Sequence, residues 1–274
     1  MTPLPPELSR LSLNQRTTNN WGVQEAVEGC VRAGIFWIGL WRDKVAETRL
    51  EESACIAREA GLRVSSLCRG GMFPAETAAE RRSRLDDNRR AVEEAATLGT
   101  TVLVLVCGPS PNRDLDAARG MVEAGIDLLA PYAAELGVKL GTEPFHPALM
   151  TERSVVVTLA QALSIAERFD PEQVGVVVDV YHVFWDPKLY SQIARSSGRI
   201  LGFHVNDWVV PTRDPLLERG MMGDGVIELR RIRAAVDDAG YAGPIEVEIF
   251  NPGIWNQPGD KILATMKERF TALV

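Results

Sequence analysis

The chain is poor in the residues that build soft-metal and disulfide sites, with 4 cysteines and 3 histidines in 274 residues. Cys30, Cys55, Cys68 and Cys107 lie apart without a CxxC pair, so neither a thiolate zinc site nor a disulfide framework is indicated, and a reducing cytosol fits best. Positive charge is also scarce. Lys+Arg 30 against Asp+Glu 37 gives a net charge of -7, whereas a nucleic-acid partner would call for clustered cations. No apolar stretch approaches membrane-spanning length, and MTPLPPELSR lacks the apolar core of a signal peptide. The expectation is a cytoplasmic protein with neither a nucleic-acid nor a membrane partner.

What is abundant is alternation. Short apolar runs rich in β-branched residues take turns with longer amphipathic segments, many of which close on a glycine in the helix C-cap role. The pattern predicts strands at about Leu11 to Arg16, Ile35 to Trp41, Arg63 to Cys68, Thr101 to Cys107, Val138 to Glu143, Val174 to Val180, Ile200 to Val205 and Ile245 to Ile249. Helices are predicted between them, with a longer loop after the seventh strand. Eight β/α units without an obvious linker imply one closed parallel (β/α)8 barrel, a TIM barrel, as a single domain over residues 1–274.

Four of the strands end in a metal-type ligand: Glu143 in VKLGTEPFHP, Asp179 in VGVVVDVYHVF, His204 in ILGFHVNDW and Glu248 in PIEVEIFNP. In such a barrel these ends share the C-terminal rim, where functional residues gather. Three carboxylates crowded there repel, and they stay ionised only beside a cation or with raised pKa values. Together with one imidazole they suit a divalent ion, one per chain, such as Mn²⁺ or Mg²⁺, with Co²⁺ or Zn²⁺ as alternatives.

The glutamate of LGTEP, the Asp-x-x-His pair Asp179 and His182, the histidine of HVND and the closing GYAGPIEVEIF resemble the xylose isomerase-like superfamily of sugar isomerases and epimerases, also called the AP endonuclease 2-like barrel. The resemblance covers essentially the whole chain. It implies one divalent metal on Glu143, Asp179, His204 and Glu248, proton transfer by Glu143 and Glu248, and a substrate oxygen on His182. The substrate expected is a small sugar or cyclitol, and the assembly compatible with the resemblance is a homodimer or homotetramer.

The chemistry is coherent without the resemblance. A metal that holds a carbonyl and its neighbouring hydroxyl stabilises the enediolate formed when a base removes the α-proton. Two glutamates facing the sugar from two sides act as base and acid, which isomerises or epimerises. Two positions depart from the family. Its 3-epimerases carry an arginine six residues after the ligand histidine, where this chain has Val210, so ketose 3-epimerase activity is not expected unless Arg213 substitutes. They carry Asn three residues after the first ligand, where this chain has His146, a competent general base near neutral pH. Both departures lean toward an alternative on the same barrel, a lyase of the inosose or 3-dehydroshikimate dehydratase type or a 3-keto-sugar deglycosidase. The three histidines are too few for the zinc cluster of endonuclease IV-type repair enzymes.

Candidate substrate contacts at the strand ends are Asn14, Arg16, Arg42, Arg69, Trp41, Trp185, Trp208 and Trp255. The segment RGMMGDG from Arg219 to Gly225 reads first as a glycine-supported turn that caps the next helix through Asp224, ahead of a substrate role. Asp207 is placed to orient His204 or to reach a substrate hydroxyl.

Overall fold

The computed structural model describes residues 8–274. Seven parallel strands come first: β1 (Leu11–Asn14), β2 (Trp37–Trp41), β3 (Arg63–Gly71), β4 (Val102–Val106), β5 (Lys139–Glu143), β6 (Val174–Asp179) and β7 (Ile200–Val205). A small antiparallel ribbon of β8 (Asp207–Trp208) and β9 (Arg219–Gly220) follows, and then β10 (Ile245–Val247). β10 sits between β7 and β1 and closes the barrel. The eight strands predicted from the alternation are these, and the unpredicted ribbon lies inside the longer loop.

Alternation along each strand decides what faces where. Leu11, Ile38, Leu103, Val176, Phe203 and Ile245 point outward and pack on helical residues such as Val27, Val92, Ile126, Leu163, Ile232 and Met266, all buried in one cluster. Each such side chain removed from water contributes roughly 1.5–3 kcal/mol. A second, small apolar cluster, Cys68, Val104 and Val177, fills the barrel interior. The rest of the interior is unusually polar and includes buried Ser12, Asn14, His204 and Glu246.

The boundaries differ from expectation where side chains intervene. β1 stops at Asn14 because Asn14 Oδ1 accepts the Arg16 N–H and starts a 3-10 turn over Gln15–Thr18. β3 runs on through Arg69, Gly70 and Gly71, because Gly71 pairs with Val106 and the Met72 N–H reaches the Val106 carbonyl. The long charged helix, Ala78–Thr97, opens on a reciprocal capping pair between Thr77 and Glu80. All four cysteines are free.

Candidate metal centre

Register brings the four rim ligands together. Asp179 on β6 lies opposite His204 on β7, and His204 lies opposite Glu246 on β10, two residues below Glu248. Glu143, Asp179, His204 and Glu248 each offer a ligand atom, and these atoms all lie within 4.8 Å of one another, with every side chain buried. Glu143 Oε1 and both His204 ring nitrogens have no hydrogen-bond partner; His204 Nδ1 stands 3.4 Å from Glu143 Oε1. Buried polar atoms without partners are costly and mark a place for a ligand.

The electrostatics carry the same demand for positive charge. Burial raises the Glu143 carboxyl and pushes Glu248 up to about 7, the Arg219 and His204 charges only partly opposing it. Burial works against a charged His204, but the surrounding carboxylates, Glu246 first, win and push the imidazole up to about 10. A divalent ion fits this hard and borderline donor set of three carboxylates and one imidazole.

One member of the site was not foreseen. Arg219, only 2% exposed, donates from Nη1 to Asp179 Oδ2 and to Glu248 Oε2, each at 2.8 Å. Its guanidinium sits 4.6 Å from the Tyr181 ring centre and 4.8 Å from that of Phe250, an arrangement in which Arg charge and aromatic face attract. Its Nη2 lies 3.1 Å from His182 Nε2. His182 Nδ1 accepts the His146 backbone N–H at 3.2 Å, which puts the proton of the neutral ring on Nε2. Burial holds His182 well below the usual imidazole range, so it stays neutral.

Below the rim lies a fourth carboxylate. Glu246 accepts from Asn14 Nδ2 at 2.8 Å and from the Ser65 and Ser66 hydroxyls at 2.7 Å each, and its Oε2 is 3.7 Å from His204 Nε2. Gly39 makes the room, since a Cβ there would lie 2.2 Å from Glu246 Oε2.

Comparison with known proteins identifies the family of the barrel. The sequence matches the xylose isomerase-like TIM barrel family over residues 26–270. The chain belongs to that family. It is 26% identical over 214 residues to the L-ribulose-5-phosphate 3-epimerase UlaE of Salmonella paratyphi A, a match covering 75% of this chain and 70% of that protein. The crystal structure of protein SMc04130 from Sinorhizobium meliloti superposes with a TM-score of 0.95 at 48% identity, over 97% of this chain and 98% of the other. The IOLI protein, solved with a binding zinc atom, superposes with a TM-score of 0.86 at 20% identity, over 97% and 98%.

Several positions carried over from the family are used otherwise here. Val210 is 63% exposed and Arg213 is exposed beside it, so the position six residues past His204 is outside the site. The arginine comes instead from β9, held because Asp207 accepts the Trp208, Gly223 and Ile227 N–H groups and pins both ends of the loop. Asp207 is therefore a loop staple and makes no hydrogen bond to His204. Asp224 does not cap the next helix, which begins after Glu228 without a side-chain cap, and instead closes its own turn by accepting the Met221 N–H.

His146 caps the short turn Pro147–Leu149 through Nδ1, and its ring stacks on Trp208 at 4.5 Å between centres. Asn14 is spent on Glu246, on Trp41 Nε1 and on the Arg16 N–H, and Arg42 is spent on Asp87 and Glu94. Trp208 packs with His146, Tyr181 and Phe184 in an aromatic cluster beside the site. Arg69 and Arg16 do line the central cavity together with Glu143, Glu248 and Arg219.

Proposed function

We propose that the chain is a divalent-metal-dependent sugar or polyol isomerase or epimerase, working by proton transfer on a carbon next to a carbonyl. The ion, with Mn²⁺ or Mg²⁺ preferred over Co²⁺ or Zn²⁺, would be held by Glu143, Asp179, His204 and Glu248. The observation that carries this reading is the convergence of four ligand atoms within 4.8 Å. When bound, such an ion withdraws electrons from the carbonyl and lowers the cost of the charge that develops there. The resemblance to a sugar 3-epimerase supports the same chemistry.

The protein residues then divide the work. Burial raises the Glu248 carboxyl in the metal-free site, and as a rim carboxylate it is placed to act as base or acid. Glu143, on β5 and raised in the same direction, approaches from the other side of the mouth as its counterpart. His182 is proposed to serve a substrate oxygen together with Arg219, which lines the cavity and whose Nη2 lies 3.1 Å from His182 Nε2. The lyase alternative leaned on Val210 and His146, and with Val210 exposed outside the site and His146 capping its own turn the isomerase or epimerase reading is the better supported. As one domain over residues 1–274, the chain would act in the cytoplasm on a small molecule, alone or as a homodimer or homotetramer.

The test is incubation of metal-loaded enzyme with keto-sugars and keto-inositols in D₂O. Deuterium uptake at a carbon beside the carbonyl, lost after exhaustive chelation and restored by the ion, is the expected result. Full activity in protein shown by elemental analysis to be free of metal would overturn the reading.

A further inference from the structure

Charge at the floor of the site is balanced, and charge at its mouth is not. Asp179 and Glu248 share Arg219, and the divalent ion of the proposed function offsets what remains of the three rim carboxylates. Above them, Arg69 and Arg153 line the same cavity of about 220 Å³. Neither guanidinium has an acidic partner among the described residues, and the buried Nε of Arg153 has no hydrogen bond at all. Their neighbours contrast with them. Arg16 is held by Asp43, and Arg42 by Asp87 and Glu94.

Two half-buried cations without counter-ions are unfavourable. Burial first, and then the Arg153 and Arg42 charges, work against the Arg69 guanidinium. The cost is removed when a ligand brings the opposite charge, and a planar guanidinium matches the spacing of oxygens on a carboxylate or phosphoryl group. Position agrees with charge. A second cavity, of about 360 Å³, adjoins the first and shares Arg16, Trp41, Cys68 and Arg69 with it. Arg69 thus stands where a chain leaving the inner site would emerge.

We propose that the substrate carries an oxyanion substituent, a phosphoryl or carboxylate group, gripped by Arg69 and Arg153 while its carbonyl end reaches Glu143 and Glu248. This rests on the isomerase or epimerase reading for the inner half only; the outer half stands on the unpaired arginines.

Titration calorimetry of the metal-loaded protein with inorganic phosphate reads the outer half without turnover. Binding is expected, weakened about tenfold or more by Arg69→Gln and by Arg153→Gln, with Arg69→Lys retaining most of it. Deuterium exchange on neutral ketoses, ketose phosphates and keto-uronates reads the two halves together. A preference of about 100-fold or more in kcat/KM for an acidic sugar is expected, collapsing toward one in the double Gln variant mainly through KM. Whichever acid wins distinguishes phosphoryl from carboxylate. Phosphate affinity untouched by both Gln variants, or neutral ketoses used as well as acidic ones, would overturn the proposal. Should no sugar exchange deuterium while phosphate still binds through these arginines, the isomerase reading falls and the oxyanion site stands.

Discussion

Two sets of buried carboxylates share one barrel, and they differ in a single respect. Glu246 is surrounded by donors, from Asn14, Ser65 and Ser66. Two residues along β10, Glu248 has only Arg219 to lean on, and across the rim Glu143 Oε1 has no partner. Burial is nearly the same for all three, at 3% exposure. What separates a supporting acid from a reactive one is therefore the number of donors already provided. A fully solvated-by-protein carboxylate has no reason to seek a cation, whereas an under-supplied cluster has no other way to be stable.

The comparison breaks most severely at the rim. Glu248→Gln removes charge with little change of shape, and a fall in kcat/KM of roughly 10³-fold is expected, with weakened metal binding read by elemental analysis. Next comes Arg219→Ala, which leaves Asp179 and Glu248 without their shared cation. Loss of one partner from a buried ion pair costs about 3–5 kcal/mol, and the drop in melting temperature should be partly restored by added divalent ion. Metal-free and metal-loaded melts of the same variant check this.

Protons sharpen the contrast further. Glu248 and Glu143 are raised, and His204 is pushed up to about 10, so the metal-free fold holds these protons more tightly than the unfolded chain does. Their stabilisation is present at low pH and is lost as pH climbs through about 7 for Glu248 and through about 10 for His204. Metal binding has the opposite slope because the ligands must give up those protons. Affinity is expected to weaken about tenfold per pH unit, or more, below neutrality, and calorimetry in buffers of different ionisation heat would count the protons released.

The smallest effect belongs to the satisfied acid. Glu246→Gln keeps a hydrogen-bonding group among Asn14, Ser65 and Ser66 but removes the charge 3.7 Å from His204 Nε2. Loss of a group that orients a histidine ligand typically costs 10–100-fold in metal affinity, and the low end is expected. An effect as large as that of Glu248→Gln would show that the two acids are not distinct in role.

How much of this could be read in the sequence follows from how each residue is positioned. Glu143, Asp179, His204 and Glu248 were legible because each ends an apolar run, and strand register does the rest. Glu246 was equally visible in PIEVEIF, but its donors come from β1 and β3, far away in sequence. Arg219 was hidden for a different reason. It arrives from a loop whose path is set by Asp207 and by a ribbon of two residues per strand, too short to leave a periodic signal. The trace it did leave is an arginine immediately before a run containing buried Met221 and Met222, which is odd for a solvated turn. His146 carried its own clue, since the following Pro147 is a residue favoured at the start of a helical turn.

The loop that delivers Arg219 is fastened to the barrel by Asn251, which donates to the Arg219 carbonyl, and by the Phe250 carbonyl, which accepts the Arg219 N–H. Ligands fixed by strand register cannot slide, because a shift of one residue turns every side chain to the opposite face. An arginine fixed by a loop can change its place in the sequence so long as the loop still lands on the same two anchors. Exchange of the segment between Asp207 and Gly225 is thus a modular route to new selectivity in which the four strand-borne rim residues keep their places.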